Sequence, residues 1–207
     1  MRRFALIPTI FFILLTPSMA SAVGIEFSDS DLIVTGVTPG GSVSVFGEES
    51  EPKTYWTNFV RKDEFLSDAD ADGVVRLEGV VLPKSVWVAV DLTTGDYAVA
   101  SPPGFPLQRF DLPGNALEQG APGQFNKLRK EINFAEIFWC RPGVGAWKAT
   151  AGDDGETDED GAADGKIEIS PAGFTGPSPA PQHFQRGDVI ALIHPYTLQV
   201  FVTKVGR

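Results

Sequence analysis

The stretch Asp72-Gly73-Val74-Val75-Arg76-Leu77, followed by Leu82-Pro83-Lys84 and then Val86-Trp87-Val88-Ala89-Val90, decides how this chain reads. Asp-Gly is a strong hairpin-turn signal, because Gly takes up positive φ without a steric penalty and Asp tolerates it. Val74 to Leu77 then has the composition of a strand, and Pro83 marks a second turn. Val86 to Val90 is apolar at every position, so this strand is expected to be buried on both faces.

The same grammar extends outward. Leu32-Ile33-Val34-Thr35-Gly36-Val37 is rich in β-branched residues and ends in a turn, Thr38-Pro39-Gly40-Gly41. Val43, Val45 and Phe46 read as the next strand, and Thr93-Thr94-Gly95-Asp96 turns the chain into Tyr97-Ala98-Val99. Short strands at this spacing predict an all-β sandwich or barrel. The composition agrees: 22 Gly and 16 Pro in 207 residues suit many turns and argue against a helical bundle. An apolar fraction of 43% is that of a folded chain, and one cysteine excludes an intramolecular disulfide. The 27 acidic residues against 17 basic ones, a formal charge of −10, argue against nucleic-acid binding, which requires a basic face.

The layout returns in the second half. Val43-Ser44-Val45-Phe46 matches Ala135-Glu136-Ile137-Phe138 at an offset of 92, which also places Asp68 on Asp160 and Ala71-Asp72-Gly73 on Ala163-Asp164-Gly165. After a longer Pro- and Gly-rich loop, Val86-Trp87-Val88-Ala89-Val90 meets Val189-Ile190-Ala191-Leu192-Ile193 at an offset of 103, and Tyr97 and Val99 meet Val200 and Val202. Only six of the 35 positions from 43 to 77 are identical, so the repeat rests on order and spacing. Pro and Gly are dense between the halves, at Ser101-Pro102-Pro103-Gly104-Phe105-Pro106, Leu112-Pro113-Gly114 and Ala121-Pro122-Gly123. Leu107 to Leu112 has the pattern of a strand that opens the second half, and Phe125 to Ile132 has weak helical spacing.

The N-terminus reads as an export signal. Met1-Arg2-Arg3 is a basic start, Phe4 to Leu15 an apolar run, and Ala20 and Ala22 have the A-x-A spacing of a cleavage site. The run is shorter than the roughly 20 apolar residues of a spanning helix, and the later sequence offers no longer one. The expected organisation is a signal peptide over 1–22, a first β-sandwich over 24–101, a Pro/Gly-rich join over 102–123 and a second β-sandwich over 124–207. The expected location is secreted or periplasmic.

Asp68-Ala69-Asp70-Ala71-Asp72-Gly73 is the sharpest local motif. Carboxylates at alternate positions with Gly sixth form the first half of a calcium loop. An EF-hand also needs Glu at position twelve. Here that position is Gly79, with Glu78 one place early, and the flanks read as strand. Two readings stand: a looser calcium loop on a β scaffold, or an acidic hairpin with solvated aspartates. A denser acidic loop, Asp153 to Asp164, occupies the matching place in the second half, which adds Asp158, Asp160 and Asp164 to the candidate calcium ligands.

Catalytic signatures do not assemble. The sequence has no Gly-x-Ser-x-Gly elbow, no His-Glu-x-x-His and no phosphate-cradling glycine loop. His183 lies in the Pro-rich loop, and His194-Pro195 stands where the first half has Asp91-Leu92. Cys140, beside Phe138-Trp139, reads as a buried or half-buried unpaired thiol. Trp87 reads as core; Tyr55-Trp56 and Trp147 fall in loop-like stretches, where aromatics either fill a core or cover a sheet edge, or stack on sugar rings or anchor a partner.

The turn Asp72-Gly73, the strand after it, the Pro83 turn and the strand Val86 to Val90 together resemble secreted bacterial immunoglobulin-like or carboxypeptidase-regulatory-like β-sandwich modules. Asp164-Gly165-Lys166-Ile167-Glu168-Ile169 echoes the pattern. The resemblance covers about half of the chain beyond the signal, and its motifs are short. It implies a tandem pair of immunoglobulin-like β-sandwich domains with a non-catalytic role, and it carries over no functional residues. The expected function is a non-enzymatic binding or structural protein of the cell envelope or exterior, with an extracytoplasmic protein or a glycan as partner. The alternative is an enzyme, or an enzyme's accessory domain, acting on polysaccharide.

Overall fold

The computed structural model describes residues 22–49, 62–111, 123–124, 135–152, 168–169, 171–195 and 197–206. The described residues are almost entirely β, in fourteen strands with one 3-10 turn at Pro171–Gly173. A three-stranded sheet contains β1 (Gly24–Ser28), β2 (Asp31–Thr35) and β5 (Val74–Leu77), in the order β1-β2-β5. A four-stranded sheet of β3 (Ser42–Glu49), β4 (Lys62–Ser67), β6 (Ser85–Asp91) and β7 (Tyr97–Ala100) runs in the order β4-β3-β6-β7. Both sheets are antiparallel throughout.

The second half builds a five-stranded sheet from β8 (Gln108–Asp111), β10 (Ala135–Arg141), β11 (Gly145–Ala151), β13 (Val189–Ile193) and β14 (Gln199–Lys204), in the order β11-β10-β13-β14-β8. Only β8 is parallel to its neighbour. It comes from within the Pro/Gly-rich stretch between the halves, where Leu107 to Leu112 reads as a strand. A short pair, β9 (Gly123–Gln124) and β12 (Glu168–Ile169), completes the set.

The run Val86 to Val90 is buried on both faces, and the layers explain why. Trp87 and Ala89 face a core shared with Leu32, Val34, Val75 and Leu77 of the three-stranded sheet. Val86, Val88 and Val90 face a second core, shared with Phe138, Val189, Ala191 and Ile193 of the five-stranded sheet. The four-stranded sheet therefore lies between two layers, and its central strand has no solvent face on which to put a polar residue. Strand β13 repeats this: Ile190 and Leu192 face away from the shared core, into a third cluster with Trp139, Trp147, Phe174 and Phe184.

The strand registers follow the offsets read from the sequence. Phe46 pairs with Val88 between β3 and β6, and Phe138 pairs with Ala191 between β10 and β13. Val90 pairs with Tyr97, and Ile193 with Val200. Each second-half partner is the first-half residue moved by 92 or 103. The turns after β6 and β13 also correspond. Gly95 N–H donates to the Asp91 carbonyl and Leu198 N–H to the His194 carbonyl, both at 2.8 Å. Both turns need positive φ at that residue: Gly95 has φ 70° and Leu198 φ 54°. Leucine is strained there, and its side chain is buried in the shared core, which holds it in place.

Two sequence expectations are corrected. Asp72-Gly73 does not close a hairpin: β4 belongs to the four-stranded sheet, while β5 pairs with β2, so residues 68–73 carry the chain from one sheet to the other. Positive φ at both Ala71 (60°) and Gly73 (79°) supplies the reversal. Trp147 is not in a loop but on β11, opposite Trp139, and is buried. Pro142-Gly143 belongs to the tight β10–β11 turn, and Gly145 opens β11 opposite Arg141.

Candidate functional site

The crossing between β4 and β5 brings Asp68, Asp70 and Asp72 together: one carboxylate oxygen of each lies within 4.8 Å of the others. Asp68 is 2% exposed, and Asp70 and Asp72 are exposed. Asp68 organises the segment. Its Oδ2 accepts Gly73 N–H at 2.9 Å and Gly40 N–H at 3.1 Å, tying the crossing to the β2–β3 turn. Its main chain adds a third tie, Asp68 N–H to the Gly41 carbonyl at 3.0 Å. Asp72 Oδ1 accepts Val74 N–H at 2.8 Å, which starts β5. Burial works against charge on Asp68, but the Gly73 and Gly40 N–H groups, with smaller contributions from Asp70 and Asp72, outweigh it and hold the carboxyl below its ordinary value. Asp68 Oδ1 is enclosed and has no hydrogen-bond partner. Asp158, Asp160 and Asp164, the second-half candidates, lie outside the described residues, as do Tyr55 and Trp56.

Asp188 and Asp91, two further buried carboxylates, hold the fold. Asp188 Oδ2 accepts the Trp139 indole N–H at 2.8 Å, Arg141 Nη2–H at 2.8 Å and Gln185 N–H at 2.9 Å, and Oδ1 accepts Arg141 Nε–H at 2.9 Å. Asp91 Oδ2 accepts both the N–H and the hydroxyl of Thr38 at 2.7 Å, while Oδ1 accepts Thr93 and Thr94 N–H. His194 Nδ1 accepts Thr197 N–H at 3.0 Å, and burial lowers the ring's pKa to about 4, so it is neutral at pH 7. Cys140 is buried in the shared core, and burial pushes its thiol up to about 12, far from a reactive thiolate. A shallow cleft lies where the halves meet, lined by Ser42, Leu92, Thr93 and Val144 among others, and no titratable group is among its lining.

Sequence reasoning singled out the Asp68 cluster and missed the roles of Asp91 and Asp188. Asp91 had a signal, because Asp followed by Thr-Thr-Gly is the composition of a side-chain-capped turn. Asp188 had none, since its side-chain partners Arg141 and Trp139 lie 47 and 49 residues away. No family model, no curated protein and no solved structure matches the chain.

Proposed function

We propose that this chain is an exported, non-enzymatic protein of the cell envelope or exterior, built from two copies of one immunoglobulin-like β-sandwich, and that it works by binding or spacing a partner. Three strands in the order β1-β2-β5 over four in the order β4-β3-β6-β7 suit an immunoglobulin-like sandwich. The second-half order β11-β10-β13-β14 matches β4-β3-β6-β7 strand for strand, which supports duplication. The observation that carries the non-catalytic reading is how the interior polar groups are used. Asp91, Asp188 and His194 are turned toward backbone N–H groups and a buried guanidinium, an arrangement that fixes loops. The basic, apolar and small-residue order of residues 1–22 supports export.

Two measurements test the reading. The full chain is expressed, cells are fractionated, and the product's intact mass is taken. A product beginning at Val23 in the extracytoplasmic fraction is expected, and an uncleaved cytoplasmic chain would overturn export. The purified protein is then incubated with insoluble envelope material and with a panel of polysaccharides. Retention without release of reducing ends is expected; turnover of any polysaccharide would replace this function with the enzymatic one.

A further inference from the structure

We propose that Asp68, Asp70 and Asp72 form a calcium site at the crossing between the two sheets of the first half. The inference stands on two independent observations and does not depend on export. The first is the gathering of three carboxylates, with one oxygen of each within 4.8 Å of the others. Like charges at that range repel unless a cation joins them. The second is the bare oxygen on the buried member. Asp68 is 2% exposed, its Oδ2 is held by two backbone N–H groups, and its enclosed Oδ1 has no hydrogen-bond partner. An enclosed acceptor left without a partner is destabilising, more so on an ionised group. A cation supplies the missing partner for Oδ1 and removes the repulsion together.

The donor set selects the ion. All three side chains offer hard oxygens, and two of them face solvent, so water completes the shell. Zinc prefers nitrogen and sulfur, and magnesium demands near-ideal octahedral geometry. Calcium tolerates an irregular shell of carboxylates, carbonyls and waters. With the chain entering strand at Val74, no bidentate Glu follows at the twelfth position, so the affinity belongs with weak extracellular sites, on the order of 0.1–1 mM. The bound ion would pin residues 68–73, and through Gly40 the β2–β3 turn, at the one place where β4 leaves its sheet.

The test uses the full purified chain, stripped with EDTA and titrated with CaCl2 or MgCl2 while thermal unfolding and binding heat are followed. Calcium at 10-fold over its dissociation constant should raise Tm by about 3–6 °C, with magnesium giving less. Asp70→Ala removes a ligand that makes no backbone bond. It should keep or slightly raise Tm in EDTA, since one repelling charge is gone, and lose most of the calcium shift. Asp70→Asn serves if the alanine variant is poorly behaved, and Asp29→Asn, an exposed acid outside the cluster, should keep the full shift. The proposal is overturned if calcium leaves the wild-type Tm unchanged. It is equally overturned if Asp70→Ala shifts as far as wild type, because the ion then sits in another acidic segment. An equal response to magnesium would overturn calcium as the ion.

Discussion

Phe46 stacks on Phe138 with ring centroids 4.0 Å apart and planes 8° from parallel, and the two residues stand at corresponding places in their sheets, Phe46 opposite Val88 and Phe138 opposite Ala191. Equivalent positions meet when like surfaces pack about a two-fold axis, as in a symmetric dimer. Here one chain supplies both surfaces, and the faces carrying Val86, Val88 and Val90 and carrying Val189, Ala191 and Ile193 close a single core between them.

The halves are therefore expected to unfold together. Phe46→Ala and Phe138→Ala should each destabilise by about 3–5 kcal/mol, and the double variant should lose less than the sum, because the stack is lost once. Urea unfolding measures both. Hydrogen exchange gives the sharper check: Phe46→Ala should speed exchange at β13 amides in the other half. Unchanged β13 protection alongside a destabilised first half would mean the two cores are independent.

The large residue of the outer cores switches strands between the halves. Gly47 on β3 faces Trp87 on β6, whereas at the matching pair Trp139 on β10 faces Ile190 on β13. A Cβ at Gly47 would lie 2.5 Å from the Trp87 ring. Gly47→Ala is expected to cost about 1–3 kcal/mol by overpacking. In a Trp87→Leu background the same change should cost much less, and a double-mutant cycle by urea unfolding reads the difference. Equal costs in the two backgrounds would remove the Trp87 contact as the cause.

The indole acceptor does not switch strands. Trp87 Nε1–H donates to Ser85 Oγ at 2.9 Å, and Trp139 Nε1–H to Asp188 Oδ2 at 2.8 Å, and Asp188 follows Ser85 at the same offset of 103 that relates Val88 to Ala191. Aspartate brings a charge, and Arg141 neutralises it from within the core. Removing one partner of a buried pair is much worse than removing both. Arg141→Met is expected to cost about 3–5 kcal/mol, and adding Asp188→Ser, the first-half residue, should recover a large part of that loss. Equilibrium denaturation of the three variants decides the matter, and no recovery in the double variant would refute the account.

These pairs also show what the sequence carried and what it hid. The strands around Val86 to Val90 and Val189 to Ile193 were legible because unbroken apolar runs report burial directly, whereas Lys62–Ser67 has no apolar alternation to mark it and was not read. The Asp72-Gly73 hairpin was misread because a turn signal fixes a reversal but not the sheet that the next strand joins. That choice depends on β2 and on Asp68, which accepts N–H groups from both turns. Trp147 was misread because glycines flanking a tight hairpin look like those of a loop. At the candidate site, alternate aspartates and a sixth-position Gly were visible, but the burial of one aspartate between two turns depends on contacts 28 residues apart.

Asp91 and His194 occupy matching strand ends, and they should divide acid sensitivity between them. His194 has its folded pKa lowered by burial from 6.5 to about 4. Between those values the unfolded chain binds the proton and the folded one resists it. The stability from the neutral ring is complete above pH 6.5 and is lost as pH falls toward 4, with no further loss below. For Asp91, burial raises the carboxyl's pKa, but the Thr38 hydroxyl and the N–H groups of Thr38, Thr93 and Thr94 bring it below the ordinary 3.8. Its contribution is intact above pH 3.8 and lost only as pH falls through the lower folded value, in the same window as Asp68. Thermal unfolding at pH 7.5, 5.0, 4.0 and 3.0 separates the two. His194→Asn should flatten the fall from pH 6.5 to 4 while leaving the steeper one below. Asp91→Asn should lower Tm at neutral pH and shrink the loss below pH 4. Wild type and His194→Asn losing the same Tm between pH 7.5 and 4.0 would show that the ring's titration is not what weakens the fold there.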